Sequence, residues 1–266
     1  MKTRMLFEDD EANLISLFRA FAKSFSSGVR VISESDEAVT MINELLNDEK
    51  WAEWVNNSAN TTNPPDYYYD NGKIMLEVMR VDDHARTQGN KLVNPYIKKQ
   101  REVEQEMREN GGLPLAPTAP IFVNTQTDLP SNNDHNYIFY RDNFKRVVEK
   151  HIKRIPEYRL NHPGYKLIFF VYDESTIYYE ADTPNKTVKP GEPFKYIPHF
   201  WYADRAFADI ITNADIDFLI WYTPYKIDWT KISTIGDNIP AAGIFDCKKM
   251  PTDTINYPAE YMFSIE

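Results

Sequence analysis

Pro64-Pro65-Asp66-Tyr67-Tyr68-Tyr69-Asp70-Asn71-Gly72-Lys73-Ile74-Met75-Leu76-Glu77-Val78-Met79-Arg80-Val81 decides how the chain is read. Asn71-Gly72 between two strand-like runs is a strong hairpin signal, because both residues tolerate the positive φ of a type I′ turn. With these two as the loop, Tyr69 faces Ile74, Tyr68 faces Met75, Tyr67 faces Leu76 and Asp66 faces Glu77. Side chains alternate between the faces of a strand. One face therefore carries Tyr67, Tyr69, Ile74, Leu76 and Val78, a set apolar enough to be a core face. The other carries Asp66, Tyr68, Met75, Glu77 and Met79.

That register sets two carboxylates opposite each other, with Cβ atoms roughly 5 Å apart. Like charges so placed destabilise a hairpin, and a cation between them would reverse the sign. Hard divalent ions take oxygen ligands of this kind. Asp66 and Glu77 are thus the candidate metal ligands. The plain alternative leaves Asp66 solvated at the start of its strand and pairs Glu77 with an Arg or Lys elsewhere. A one-residue slip in the turn would separate the two acids onto opposite faces.

The arrangement resembles the core motif of the PD-(D/E)xK nuclease superfamily, the restriction-endonuclease-like fold. Pro65-Asp66 matches its first half, and Glu77-Val78-Met79 its second, with Met79 where the family has Lys. The resemblance implies a mixed sheet flanked by helices, Asp66 and Glu77 as catalytic residues holding Mg²⁺ or Mn²⁺, and phosphodiester hydrolysis on nucleic acid. In the family the Lys positions or activates the attacking water, which Met cannot do. Lys73 shares the face but lies roughly 13 Å back along the strand. Arg80 points to the other face. A second function stays open, a catalytically inactive binding or assembly module on the same fold.

On the N-terminal side, Leu14, Ile15, Phe18, Phe21, Ala22 and Phe25 fall at helical spacing and predict a helix over 9–25. Residues 28–32 suit a short strand. Ser33 or Ser35 caps a helix over 36–48, and Trp51 and Trp54 extend its apolar face. Residues 56–65 read as a polar loop. On the C-terminal side, Asp82-Asp83-His84 reads as a turn, and Asn94-Pro95 starts a helix that runs through Met107. A Pro-rich connector follows over 113–120, then a strand over 121–123.

A long helix is predicted over 137–159. Phe144, Val148, Ile152 and Ile155 share one arc of it, and Arg146, Lys150, Lys153 and Arg154 the opposite arc. That basic stripe is the candidate nucleic-acid contact, against the plainer reading of a solvated face. Continuous apolar runs over 166–172 and 216–222 predict central strands buried on both faces, with a helix over 199–213 between them. The alternation of strand and helix implies a parallel βαβαβ segment. Joined to the hairpin, it gives a mixed α/β sheet flanked by helices. Asp173 and Glu174 lie past a strand's carboxyl end, where open α/β sheets place ligand crevices. At His199, capping or packing is the expectation. Residues 241–245 suit one more strand, in a tail over 225–266 that otherwise wraps the surface.

The whole reads as one α/β domain of 266 residues, helical over 1–60. The net charge of −10 repels polyphosphate unless the basic residues cluster. Nine Gly and no Gly-rich phosphate loop argue against nucleotide cradles of that type. Nucleophile-elbow and HExxH patterns are absent. The single cysteine, Cys247, excludes an intramolecular disulfide and fits a cytoplasmic setting. No apolar window is long enough to span a membrane, and the run Met5-Leu6-Phe7 is too short for a signal peptide. The partners to expect are nucleic acid or protein, and no membrane.

Overall fold

The structure, a computed structural model, describes residues 11–33, 35–58, 64–85, 135–186, 196–226 and 239–264, with isolated positions 102, 106 and 109. The predicted helix over 94–107, the Pro-rich connector and the strand over 121–123 lie outside the continuous described stretches.

The first helix, α1 (Glu11–Ser24), and the strand β1 (Val29–Val31) form where the apolar spacing places them. The Ser35 hydroxyl accepts from the Ala38 N–H and starts α2 (Asp36–Leu46). Asn47 then caps a separate short turn, α3 (Asp48–Trp51), so the second helix is two pieces. The edge strand β2 (Val55–Asn56) leads to the hairpin of β3 (Tyr67–Tyr69) and β4 (Ile74–Val81).

The predicted long helix is also two, α4 (Tyr137–Ile152) and α5 (Ile155–Asn161). Pro156 supplies the reason: it lacks an N–H for the carbonyl of Ile152 and its ring clashes there, so it fits only the first turn of a new helix. Next come β5 (Lys166–Asp173), β6 (Tyr179–Glu180) and β7 (Ile197–Pro198). The helix expected over 199–213 is shorter, α6 (Arg205–Thr212), because Asp204 caps it by accepting from the Ala206 N–H. His199 therefore lies before the helix, not at its start. The chain closes with β8 (Phe218–Tyr222), β9 (Ala242–Asp246) and β10 (Met262–Phe263).

Seven strands form one mixed sheet in the order β1-β9-β8-β5-β4-β3-β2, and β10-β6-β7 form a small second one. The parallel trio is β4, β5 and β8, so the strand that opens it is the hairpin's own second strand. The tail does more than wrap the surface. Its strand β9 sits inside the sheet, antiparallel to β8 and parallel to β1.

Helices cover both faces. Leu14, Phe18, Met41 and Leu45 of α1 and α2 pack on Tyr67, Tyr69, Leu76, Val78 and Phe170. On the other face Tyr140, Phe144, Val148 and Tyr158 of α4 and α5, with Phe207 of α6, pack on Met75, Met79, Phe169 and Leu219. The two face sets of the hairpin are those its alternation predicts. Its carboxylate-bearing face is not open to water, however: a helix layer lies over it. Among the described residues no helix is long and apolar enough to cross a membrane.

Candidate functional site

The hairpin keeps the predicted register, with Tyr69 opposite Ile74, Tyr68 opposite Met75 and Tyr67 opposite Leu76. Its turn is different. Lys73, at φ 49°, takes the left-handed conformation, and neither Asn71 nor Gly72 does. The Lys73 N–H donates to the Asp70 carbonyl at 3.2 Å, so the loop is the four residues 70–73. Gly72 is required for space: a Cβ there would lie 2.5 Å from Cδ1 of Tyr69.

One residue beyond the ladder, Asp66 and Glu77 meet as expected, each acting on the other strand's backbone. The Asp66 N–H donates to Glu77 Oε2 at 3.3 Å, and the Val78 N–H donates to Asp66 Oδ2 at 2.7 Å. Glu77 is 1% exposed and Asp66 half-buried. A buried carboxylate needs partners, and α4 and α5 bring them. The Tyr158 hydroxyl donates to Glu77 Oε1 at 2.8 Å, His151 Nδ1 lies 2.8 Å from the same oxygen, and Arg154 Nη1 approaches it to 3.8 Å. Burial and the Glu77 charge push the Tyr158 hydroxyl well up, so it stays protonated and donates.

Glu77 Oε1 and Oε2 and Asp66 Oδ2 all accept from protein donors. As arranged, the pair is a hydrogen-bond hub and does not fit an ion cradle. Among the described residues no three His, Cys, Asp or Glu side chains converge as ligands. The alternative that pairs Glu77 with a cation elsewhere is nearer the observed state, with His151 and Tyr158 added to Arg154. Met79, in the family's Lys position, is 2% exposed inside the core.

What the corner does hold is an oriented histidine. His151 is in the last turn of α4, and its side chain is 13% exposed. With Nδ1 donating to Glu77, the lone pair sits on Nε2. Nε2 has no partner among the described residues and is not a buried atom, so it opens to solvent. Residues one turn apart at the end of α5 and just past it fix this corner: Tyr158 reaches Glu77, Asn161 donates to the Pro64 carbonyl at 2.8 Å, and the His162 ring lies 4.4 Å from that of Tyr68. Sequence reading missed His151 and Tyr158, which lie 74 and 81 residues from Glu77.

The basic stripe divides at the helix break. Lys150 and Lys153 are exposed, whereas Arg146 and Arg154 are half-buried. Arg154 turns toward Glu77 and packs its guanidinium 5.7 Å from the Tyr158 ring centroid. Of these, Arg154 reaches the Glu77–His151 corner, while Lys150 and Lys153 stay on the exposed surface of the helix end.

The other acids singled out lie at the carboxyl ends of the parallel strands. Asp173 is fully buried and saturated. Oδ2 accepts from Tyr140, Trp221 and Lys226 at 2.7, 2.9 and 2.8 Å, and Oδ1 from the N–H and hydroxyl of Ser175. Burial would raise its pKa, but the Lys226 charge and these donors outweigh that and hold it below the usual range. Glu174 forms a two-point pair with Arg80. Asp83 accepts from Tyr178 and the Thr176 N–H. No family model, curated protein or solved structure matches the chain.

Proposed function

We propose that the protein acts on the phosphodiester backbone of nucleic acid through the corner of β3, β4, α4 and α5, with His151 as the acid–base group. The observation that carries this reading is the buried Glu77 that orients His151 while leaving Nε2 to solvent. A histidine so held is pre-organised to take a proton at Nε2. Its surroundings can take an anion: the Arg154 guanidinium reaches the same corner, and Lys150 and Lys153 are exposed on the neighbouring helix surface. In the step this geometry supports, Nε2 accepts a proton from a water molecule. The water oxygen adds to phosphorus, one ester P–O bond breaks, the leaving alkoxide takes a proton from solvent water, and His151 Nε2 returns its proton to solvent to close the cycle. Glu77 and Tyr158 are positioning residues, acting through His151. Because the carboxylate pair does not fit an ion as arranged, no step is routed through a metal.

A second reading is supported by Met79, an apolar core residue where the resembling nuclease family has its Lys. It makes the same corner a non-catalytic binding module.

The test uses a fluorescein-labelled oligonucleotide, single-stranded and duplex, followed for binding and cleavage. Cleavage lost in His151→Gln with binding kept supports the catalytic reading. Lys150→Ala with Lys153→Ala should weaken binding and reduce the salt dependence by roughly one to two phosphate contacts. Binding without cleavage in the wild type selects the module. Neither binding nor cleavage sinks both.

A further inference from the structure

Three half-buried rings run beside the hairpin corner: Tyr68 of β3, and His162 and Tyr165, which follow α5. The Tyr68 and His162 rings lie 4.4 Å apart at 39°, and those of His162 and Tyr165 lie 5.1 Å apart at 58°. A chain reversal builds the run. The His162 N–H donates to the Tyr158 carbonyl at 2.9 Å and closes the last turn of α5. Gly164, at φ 81°, then takes the left-handed conformation that turns the chain. Tyr165 thereby returns beside His162 before the chain enters β5.

The rings share a sheet face with Glu77. Tyr68 is opposite Met75, and Glu77 is two residues further along β4. Side chains so related are diagonal neighbours, roughly 7 Å apart. The run therefore starts next to the carboxylate that orients His151. It carries little charge. Burial lowers the His162 pKa below its ordinary 6.5, against the pull of Asp70, so the imidazole is neutral near pH 7. At the far end the Tyr165 hydroxyl donates to Asp70 Oδ1 at 2.7 Å, and that acid repels a phosphate but not a base. Neutral rings suit the flat, uncharged part of a nucleotide, and the cations Arg154, Lys150 and Lys153 suit its phosphate. In a duplex the base faces are stacked on one another, whereas in a single strand they are free to lie on protein rings. We infer that the strand taken by the His151 corner is single-stranded, with an unpaired base packed on the exposed side of this run at His162. The inference rests on the nucleic-acid reading of that corner and names its substrate class.

Fluorescence anisotropy tests it with four labelled probes: a short thymidine strand, a uridine strand, an abasic strand of the same length, and a duplex. Wild type should bind the thymidine or uridine strand about tenfold more tightly than the abasic strand, the low end of what one stacked base contributes. Whichever of the two binds more tightly assigns the sugar. His162→Ala should abolish that tenfold and leave abasic binding unchanged. His162→Phe, which keeps a ring, should restore it, and its thermal melt guards against misfolding. Lys150→Ala with Lys153→Ala should weaken every probe, because it removes phosphate contacts. The inference is overturned, with the nucleic-acid reading intact, if abasic strand or duplex binds as tightly as the base-bearing strands. It is also overturned if His162→Ala binds like wild type, or if His162→Phe loses as much as His162→Ala. Binding of none of the probes removes both.

Discussion

Glu77 on β4 and Asp173 on β5 are buried acids on the same face of one sheet, under the same helix, yet they are held in opposite ways. Asp173 is closed. Five donors fill both oxygens, and its cation, Lys226, is itself buried. Glu77 is open at its far side. Its partners His151 and Arg154 carry side chains 13% and 30% exposed, so the buried charge is linked through them to solvent. A carboxylate sealed among donors fixes structure. One whose donors reach the surface orients those donors for something outside. The difference separates a structural acid from a functional candidate when burial alone does not.

Paired substitutions separate the two carboxylates. Asp173→Ala strands the Lys226 ammonium in the interior and should destabilise by about 3–5 kcal/mol, as for a broken buried pair. Glu77→Gln should destabilise by only about 1–3 kcal/mol, because His151 and Arg154 can turn toward water. Urea unfolding of both variants measures the gap. Equal losses would mean that Glu77 is as closed as Asp173 and would remove its functional reading.

A smaller effect comes from pH at the closed end. Burial lowers the His199 pKa below its ordinary 6.5, despite Asp204 beside it. Below pH 6.5 the unfolded chain then binds more protons than the folded one. The stability contributed by neutral His199 is present above that value and is lost as the pH falls. The limiting slope is about 1.4 kcal/mol per pH unit for one proton. Thermal melts between pH 7.5 and 5.5 should show this decline, flattened in His199→Gln. An unchanged slope in that variant would assign the decline to other groups.

Much of the architecture was legible because it is periodic. The hairpin register follows from alternation, since a one-residue slip would put Asp66 and Glu77 on opposite faces and set one of them among the apolar side chains of α1 and α2. The strands of 166–173 and 218–222 announce themselves as unbroken apolar runs. The turn type was misread because Asn71-Gly72 carries the usual hairpin signal, while the actual constraint on Gly72 is the Tyr69 ring. The break at Pro156 was written in the sequence but masked by an apolar arc that continues through Ile155. The candidate site was legible only in half. Asp66 and Glu77 face each other across a short turn, whereas His151 and Tyr158 arrive from helices whose packing no local pattern specifies. The run of rings is further still from sequence, joining Tyr68 of a strand to His162 and Tyr165 beyond a helix.

The functional reading requires Glu77 to hold His151 with Nδ1 protonated and Nε2 available to solvent. Long-range ¹H–¹⁵N correlation of the imidazole nitrogens near neutral pH reads this directly. For wild type the Nδ1–H tautomer of His151 should dominate, and Glu77→Gln should return the ring to a mixture. An Nε2–H tautomer in wild type, or the same tautomer ratio in both proteins, would contradict the account.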